Sequence, residues 1–168
     1  MFDILDLPDR QTLLKLARRY PQMEIPALET WLDLMRLSAD CQNNLDRFLA
    51  GHKLSQRRFF VLILLLRNPE GLQVSQLAKG TGVSCATMTG VVDGLVKAGL
   101  VTRETHEEDR RCFLVSITAA GLELLDLVLP QHYRRVSRIM APLDDTEREQ
   151  LRTLLAKLGN GLAEIDQP

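Results

Sequence analysis

The sequence predicts a mainly α-helical protein that carries one small two-stranded β-hairpin. Three observations predict it. Apolar residues recur at three- and four-residue spacing through long stretches at both ends of the chain. Strict alternation is confined to one short run, where Phe113, Val115 and Ile117 interleave with Cys112, Leu114 and Ser116. Turn residues (Gly71, Gly80, Gly82, Gly99) divide the middle of the chain into short units. The length, 168 residues, suits one domain or a small domain with an extension.

Residues 1–25 read as an N-terminal extension with a short helix around Leu13, Leu14, Leu16 and Ala17 that ends near Tyr20-Pro21. Residues 26–53 read as one long helix opened by Pro26, since proline is tolerated in a first turn. Leu28, Trp31, Leu32 and Met35 form its stripe, Leu45, Phe48 and Leu49 resume it, and Gly51 closes it. A long helix so sparsely apolar packs against more than its own small domain.

Residues 54–118 form the next unit. Ser55 caps a helix and Leu54 packs on Phe59 as a hydrophobic staple. Phe59 to Leu66 is apolar on nearly every side, so this helix is expected to be the most buried. After the Asn68-Pro69-Glu70-Gly71 turn, a short helix over residues 74–79 directs Leu77 and Ala78 inward. Gly80-Thr81-Gly82 turns the chain, and Ser84 caps a helix that stops at Gly99. Strands over residues 100–105 and 112–117 follow, with Glu107-Glu108-Asp109-Arg110-Arg111 at the hairpin tip. Residues 119–168 are helical again. Thr118 caps the first helix, Pro130 is expected to kink it, and Asp144 with Glu147 makes a capping box for the last. There Leu151, Leu154, Leu155, Leu158, Leu162 and Ile165 share one face.

Two helices joined by a tight turn, with a charged hairpin behind them, form a winged helix-turn-helix, a shape that lies against duplex DNA. At about 100° per residue, Met88, Val91, Val92 and Leu95 define the inner face of the second helix. The outer face carries Ala86, Gly90, Asp93 and Lys97, flanked by Thr89 on one side and by Thr87 and Gly94 on the other. Small side chains keep this face slim enough for a major groove. Thr87 and Thr89 suit base edges or a thymine methyl, and Ser84 with the first backbone N–H groups suits a phosphate. Between Gly71 and Arg103 the one acid is Asp93, against Lys79, Lys97 and Arg103, so the unit is locally basic. Asp93 and Lys97 also stand at i, i+4 and are spaced to pair with each other. At the tip, Asp109 is placed to brace Arg110 or Arg111 for a narrow minor groove, where negative potential concentrates. The plainer alternatives are a surface helix with small residues and a solvated hairpin tip.

Composition restricts the alternatives. Aromatics make up only 5% of the chain, too few for single-strand stacking platforms. Formal net charge is −1, so any cationic face must be local, and a winged-helix module that binds protein and not DNA stays open. His52, His106 and His132 lie on separate elements with no nucleophile–base pair, which leaves catalysis without a site and calls for no cofactor or metal. Cys41, Cys85 and Cys112 cannot pair completely and match no zinc or redox spacing, which fits a reducing cytoplasm. The first residues do not read as a secretory signal, and the run from Phe59 to Leu66 is too short to span a membrane. Cys85 opens the second helix, where the helix dipole favours negative charge, making it a candidate redox residue. The competing reading for Cys85 is a half-buried apolar residue.

The order of these motifs resembles the MarR family of multiple-antibiotic-resistance regulators. The resemblance is carried by Leu54-Ser55-Gln56, Phe59-Phe60-Val61-Leu62, Leu77-Ala78, Val83-Ser84 to Leu95, Gly99-Leu100-Val101, Asp109-Arg110-Arg111 and Ile117-Thr118-Ala119-Ala120-Gly121. It covers roughly residues 28–162. It implies a homodimeric transcription factor, commonly a repressor, whose first and last long helices intertwine. It implies a pseudo-palindromic operator of double-stranded DNA. Ser84, Thr87, Thr89 and Gly90 would then meet the major groove and Arg110 or Arg111 would be the wing arginine. It also implies a small aromatic or anionic effector held between the dimer helices and the winged lobe, near His52, Arg57 and Arg58, although helix-start or surface roles suit those three better. Some relatives sense oxidants through a cysteine near the start of the first long helix, and Cys41 lies too far along to match. Gly90 and Gly94 depart from the family's pattern, where many members carry arginine.

Overall fold

The computed structural model describes residues 6–105 and 113–165. His106, Glu107, Glu108, Asp109, Arg110, Arg111 and Cys112 lie outside the described residues, so the expectations for the wing tip rest on the sequence alone.

The short helix α1 (Arg10–Arg19) starts on Asp9, whose carboxylate accepts the Thr12 N–H at 2.7 Å. That bond holds the Asp9 carboxyl below its usual range. Helix α1 lies against α2 (Ile25–Ala50) and buries Leu13. Pro26 occupies the first turn of α2, as its fixed φ and missing N–H allow. Ser55 caps α3 (Gln56–Leu66) by accepting the Arg58 N–H, and Phe59, Val61, Leu62 and Leu65 face inward. Burial of α3 is less complete than its composition predicts. Phe60 and Leu66 stay 44% and 38% exposed, because elements pack on only part of its circumference.

A two-residue strand β1 (Leu72–Gln73) leads into α4 (Val74–Thr81), which Gln73 and Gln76 close with a reciprocal cap. Gly82 ends α4 in the left-handed region at φ 68°, a conformation glycine adopts without a Cβ penalty. Helix α5 (Cys85–Lys97) follows, then β2 (Val101–Thr105) and β3 (Phe113–Ile117). The expected two-stranded hairpin is part of an antiparallel sheet of order β1-β3-β2. Leu72 pairs with Val115, and Val101 with Ile117. Two residues are too few to show a period, so alternation could not reveal β1. Gly71 makes the pairing fit. Its φ is +88°, and a Cβ there would stand 2.8 Å from the Val115 carbonyl oxygen.

Helix α6 (Ala119–Met140) continues through Pro130, and α7 (Asp145–Ile165) starts on the Asp144–Glu147 capping box, with both bonds at 2.9 Å. The core joins Leu49, Leu54, α3, Leu77, Met88, Val92, Leu95, Val101, Val115, Leu125 and Val128 into one apolar cluster beneath α4 and α5. Helix α7 buries no residue. No helix among the described residues is long and apolar enough to cross a membrane.

Candidate nucleic-acid interface

Helix α5 is held from below and open above. Met88, Val92 and Leu95 are fully buried and Val91 is half-buried, which matches the inner face read from the sequence. Ala86, Thr87, Gly90, Asp93 and Lys97 are exposed. Nothing in the fold requires glycine at position 90, where an added Cβ would meet no atom within 4 Å. The slimness of that face therefore meets no packing demand among the described residues.

The N-terminus of α5 is capped from within. Ser84 Oγ accepts the Thr87 N–H at 3.2 Å and lies 3.0 Å from Thr87 Oγ1. One first-turn N–H is thereby satisfied. Thr89 is half-buried on the flank toward the sheet, and its hydroxyl donates to the Cys85 carbonyl at 2.9 Å, so only its lone pairs remain free.

Arg103 reaches α5 from β2. Its Nη1 lies 3.3 Å from Asp93 Oδ1 and its guanidinium stacks 4.0 Å from the Phe113 ring centroid. Asp93 therefore pairs with Arg103 and not with Lys97, the partner that i, i+4 spacing suggests. The strand arginine is braced by a ring, whereas a lysine on the same helix would have to order its whole stem. Lys97 is left exposed at the outer edge of the helix. Arg103 Nε is buried without a partner among the described residues. Cys85 is exposed, contrary to its half-buried alternative. It lines a cleft of about 340 Å³ with Thr89, Arg103 and Phe113.

Gly94 differs from Gly90. The space a Cβ would need there holds the guanidinium of Arg58, from α3, with Nη2 2.6 Å from the ideal Cβ position. From the sequence, Arg58 belongs near the effector junction. A wheel drawn for one helix contains no atom of another, so only the assembled fold brings Arg58 to α5.

A second concave region lies between α2 and α6, with a volume of about 820 Å³. Arg134, Arg135 and Arg138 line it with Asn44, Phe48, Gln131 and Ile139, a set without a carboxylate. Arg135 donates to Asn44 Oδ1, lies 3.1 Å from His132 Nδ1 and stacks 5.1 Å over Phe48. A guanidinium only donates, so Nδ1 accepts and His132 is neutral there. Burial, and then the Arg135 charge, lower the His132 pKa below its ordinary 6.5. His52 stacks edge-on against Phe48 at 5.1 Å, and Arg57 is exposed at the start of α3. No cluster of metal-ligating side chains occurs among the described residues.

Residues 54–113 match the model of the MarR family. The HTH-type transcriptional repressor YetL of Bacillus subtilis is 31% identical over 157 residues, which span 93% of this chain and 94% of the repressor. The fold is similar to that of Sco3205, a MarR family regulator of Streptomyces coelicolor solved in complex with DNA. The TM-score is 0.77 at 23% identity, over 87% of this chain and 94% of that one. It is also similar to CouR of Rhodococcus jostii bound to p-coumaroyl-CoA, with a TM-score of 0.68 at 25% identity, over 81% of this chain and 95% of that one. The near-full-length likeness to a repressor and the match over the winged lobe come together on the exposed helix and sheet described above: the chain belongs to the MarR family of transcriptional regulators.

Proposed function

We propose that the protein is a cytoplasmic homodimer that represses transcription by binding a pseudo-palindromic duplex operator. Residues 26–53 and 119–168 form the dimerising arms, residues 54–118 form the DNA-binding lobe, and residues 1–25 extend the first arm. Each protomer sets α5 in a major groove, with Ser84, Ala86, Thr87, Thr89 and Gly90 at its floor and Lys97 at its edge. Arg103 supports the wing, where Asp109, Arg110 and Arg111 meet the minor groove. The observation that carries this reading is the slim exposed face of α5, with Gly90 open to solvent and free of any packing demand. A small anionic aromatic effector, bound against Arg134, Arg135 and Arg138, releases the operator. What supports an anion there is the three guanidinia lining a cleft that no carboxylate among the described residues lines. Exposed Cys85 offers an oxidative route to the same release.

Selection of bound duplexes from a random pool, followed by footprinting, tests the proposal. Two half-sites about one helical turn apart are expected, with affinity falling steeply as salt rises. A single unrepeated half-site would reject the two-fold geometry. Salt-insensitive binding to a protein partner, with no duplex bound, would move the lobe to the class of protein-interaction modules.

A further inference from the structure

Gly90 and Gly94 stand one turn apart on α5 and have opposite surroundings. A Cβ at Gly90 would meet nothing within 4 Å, whereas one at Gly94 would lie 2.6 Å from Arg58 Nη2, 3.4 Å from Cζ and 3.5 Å from Nε. The Arg58 guanidinium thus rests on the bare backbone of α5, where any other residue would place a side chain. Its origin is fixed. Arg58 sits in the first turn of α3, its N–H is bound by the Ser55 cap, and its side chain is half-buried.

Position on the helix gives this contact its meaning. At about 100° per residue, Gly94 falls on the flank shared with Thr87, while Thr89 and Asp93 fall toward the other. Arg103 lies on that other flank, against Asp93. The two guanidinia therefore border α5 on both sides. A helix in a major groove has a phosphate backbone along each side, so these are the two places where a fixed cation is useful. Arg103 is already paired with Asp93, while Arg58 has no ion-pair partner among the described residues. A guanidinium laid against a backbone loses little freedom when it accepts a phosphate, and its fork suits two oxygens at once.

We infer that Arg58 is a phosphate-binding residue of the DNA interface, and that position 94 is glycine because it seats the Arg58 guanidinium beside α5. The inference rests on the duplex-binding function proposed above. It explains one of the two glycines on α5 by what the fold places there, and it adds to the interface a residue that no reading of α5 alone would include.

Gly94→Ala isolates the effect. The new Cβ meets only the far end of a flexible side chain, so it evicts the guanidinium while the fold is kept, and alanine favours the helix. Affinity is measured by fluorescence titration of the duplex enriched by the wild type, and of a scrambled duplex, across a salt series, with Tm recorded for each variant. In Gly94→Ala and in Arg58→Gln, affinity is expected to fall about tenfold for both duplexes. The slope of log K against log salt is expected to fall by about 0.9 for each phosphate that is no longer neutralised. The double variant is expected to bind no worse than either single one, and the Tm of Gly94→Ala to stay at or above that of the wild type. Unchanged affinity in both single variants overturns the inference while leaving duplex binding intact. So does a weakening with an unchanged salt slope, which marks a structural role, or effects that add in the double variant. A wild-type protein that binds no duplex overturns the function and this inference together.

Discussion

His132 shows how one side chain of α6 ties together α2 and α3. Its ring meets Phe59 of α3 at 5.4 Å and Phe48 of α2 at 5.9 Å, while Nδ1 faces Arg135. Burial and the neighbouring guanidinium both disfavour a proton on the ring, which is why its pKa lies below 6.5. As pH falls through the ordinary histidine range, the unfolded chain takes up a proton that the folded chain resists. Stability is therefore full above about pH 6.5 and declines below it until the lowered folded pKa is reached. Thermal denaturation at a series of pH values is expected to show Tm falling as pH drops below the ordinary histidine value of 6.5. That fall is expected to be smaller in His132→Gln, and superimposable profiles would refute the coupling. None of this is visible in the sequence, where His132 is one of three scattered histidines. Asp93 makes the same point. Its spacing to Lys97 is legible, but its actual partner, Arg103, arrives from a strand that the chain reaches only after turning back.

At the scale of elements, local chemistry is highly legible. The caps at Ser55, Ser84, Thr118 and Asp144 act through bonds within three residues, and each forms as the sequence predicts. The inner face of α5 is equally plain, since a helical period needs no tertiary information. Strand β1 is not legible, because its partner β3 lies some forty residues on. The Thr118–Gly121 pair shows local and distant roles meeting. Thr118 Oγ1 accepts the Gly121 N–H at 3.1 Å and donates to the Gly99 carbonyl at 2.7 Å, pinning the start of α6 to the turn that ends α5. Gly121 lets the two approach. A Cβ there would stand 2.3 Å from the Leu100 carbonyl oxygen and 2.7 Å from Ile117 Cγ1. Backbone cannot yield as a flexible side chain can. Gly121→Ala is therefore expected to destabilise by roughly 1–3 kcal/mol, the usual cost of overpacking, despite the better helix propensity of alanine. A denaturant titration with unchanged m-value reads this directly, and an unshifted midpoint would contradict it. The opposite behaviour expected of Gly94→Ala makes the pair a control for each other.

The whole molecule poses a question that its core does not answer. Leu154, Leu155, Leu158 and Leu162 lie on one face of α7, exposed by 44–56%, and Ile165 extends that face at 81%. Leu127, Val136 and Ile139 on α6 and Trp31 and Leu37 on α2 are uncovered as well. These uncovered apolar side chains, on the helices flanking one lobe, are the surface that the proposed second copy would cover by symmetry. The argument is independent of DNA, yet it determines how tightly DNA is held. One lobe binds with the affinity of a single helix and wing, whereas two lobes on a shared frame turn the second binding step into an intramolecular event. Replacing Leu154 and Leu158 together with glutamate puts two charges into the proposed seam of each protomer and leaves the winged lobe untouched. Light scattering is expected to show a protomer in place of a dimer. Operator affinity is expected to fall by about two orders of magnitude or more, the range that linkage of two sites supplies. A double variant that still elutes and scatters as a dimer would show that α7 does not carry the seam. A monomer that holds the operator as tightly as the wild type would show that one winged lobe is sufficient and that the two-fold operator has no physical basis.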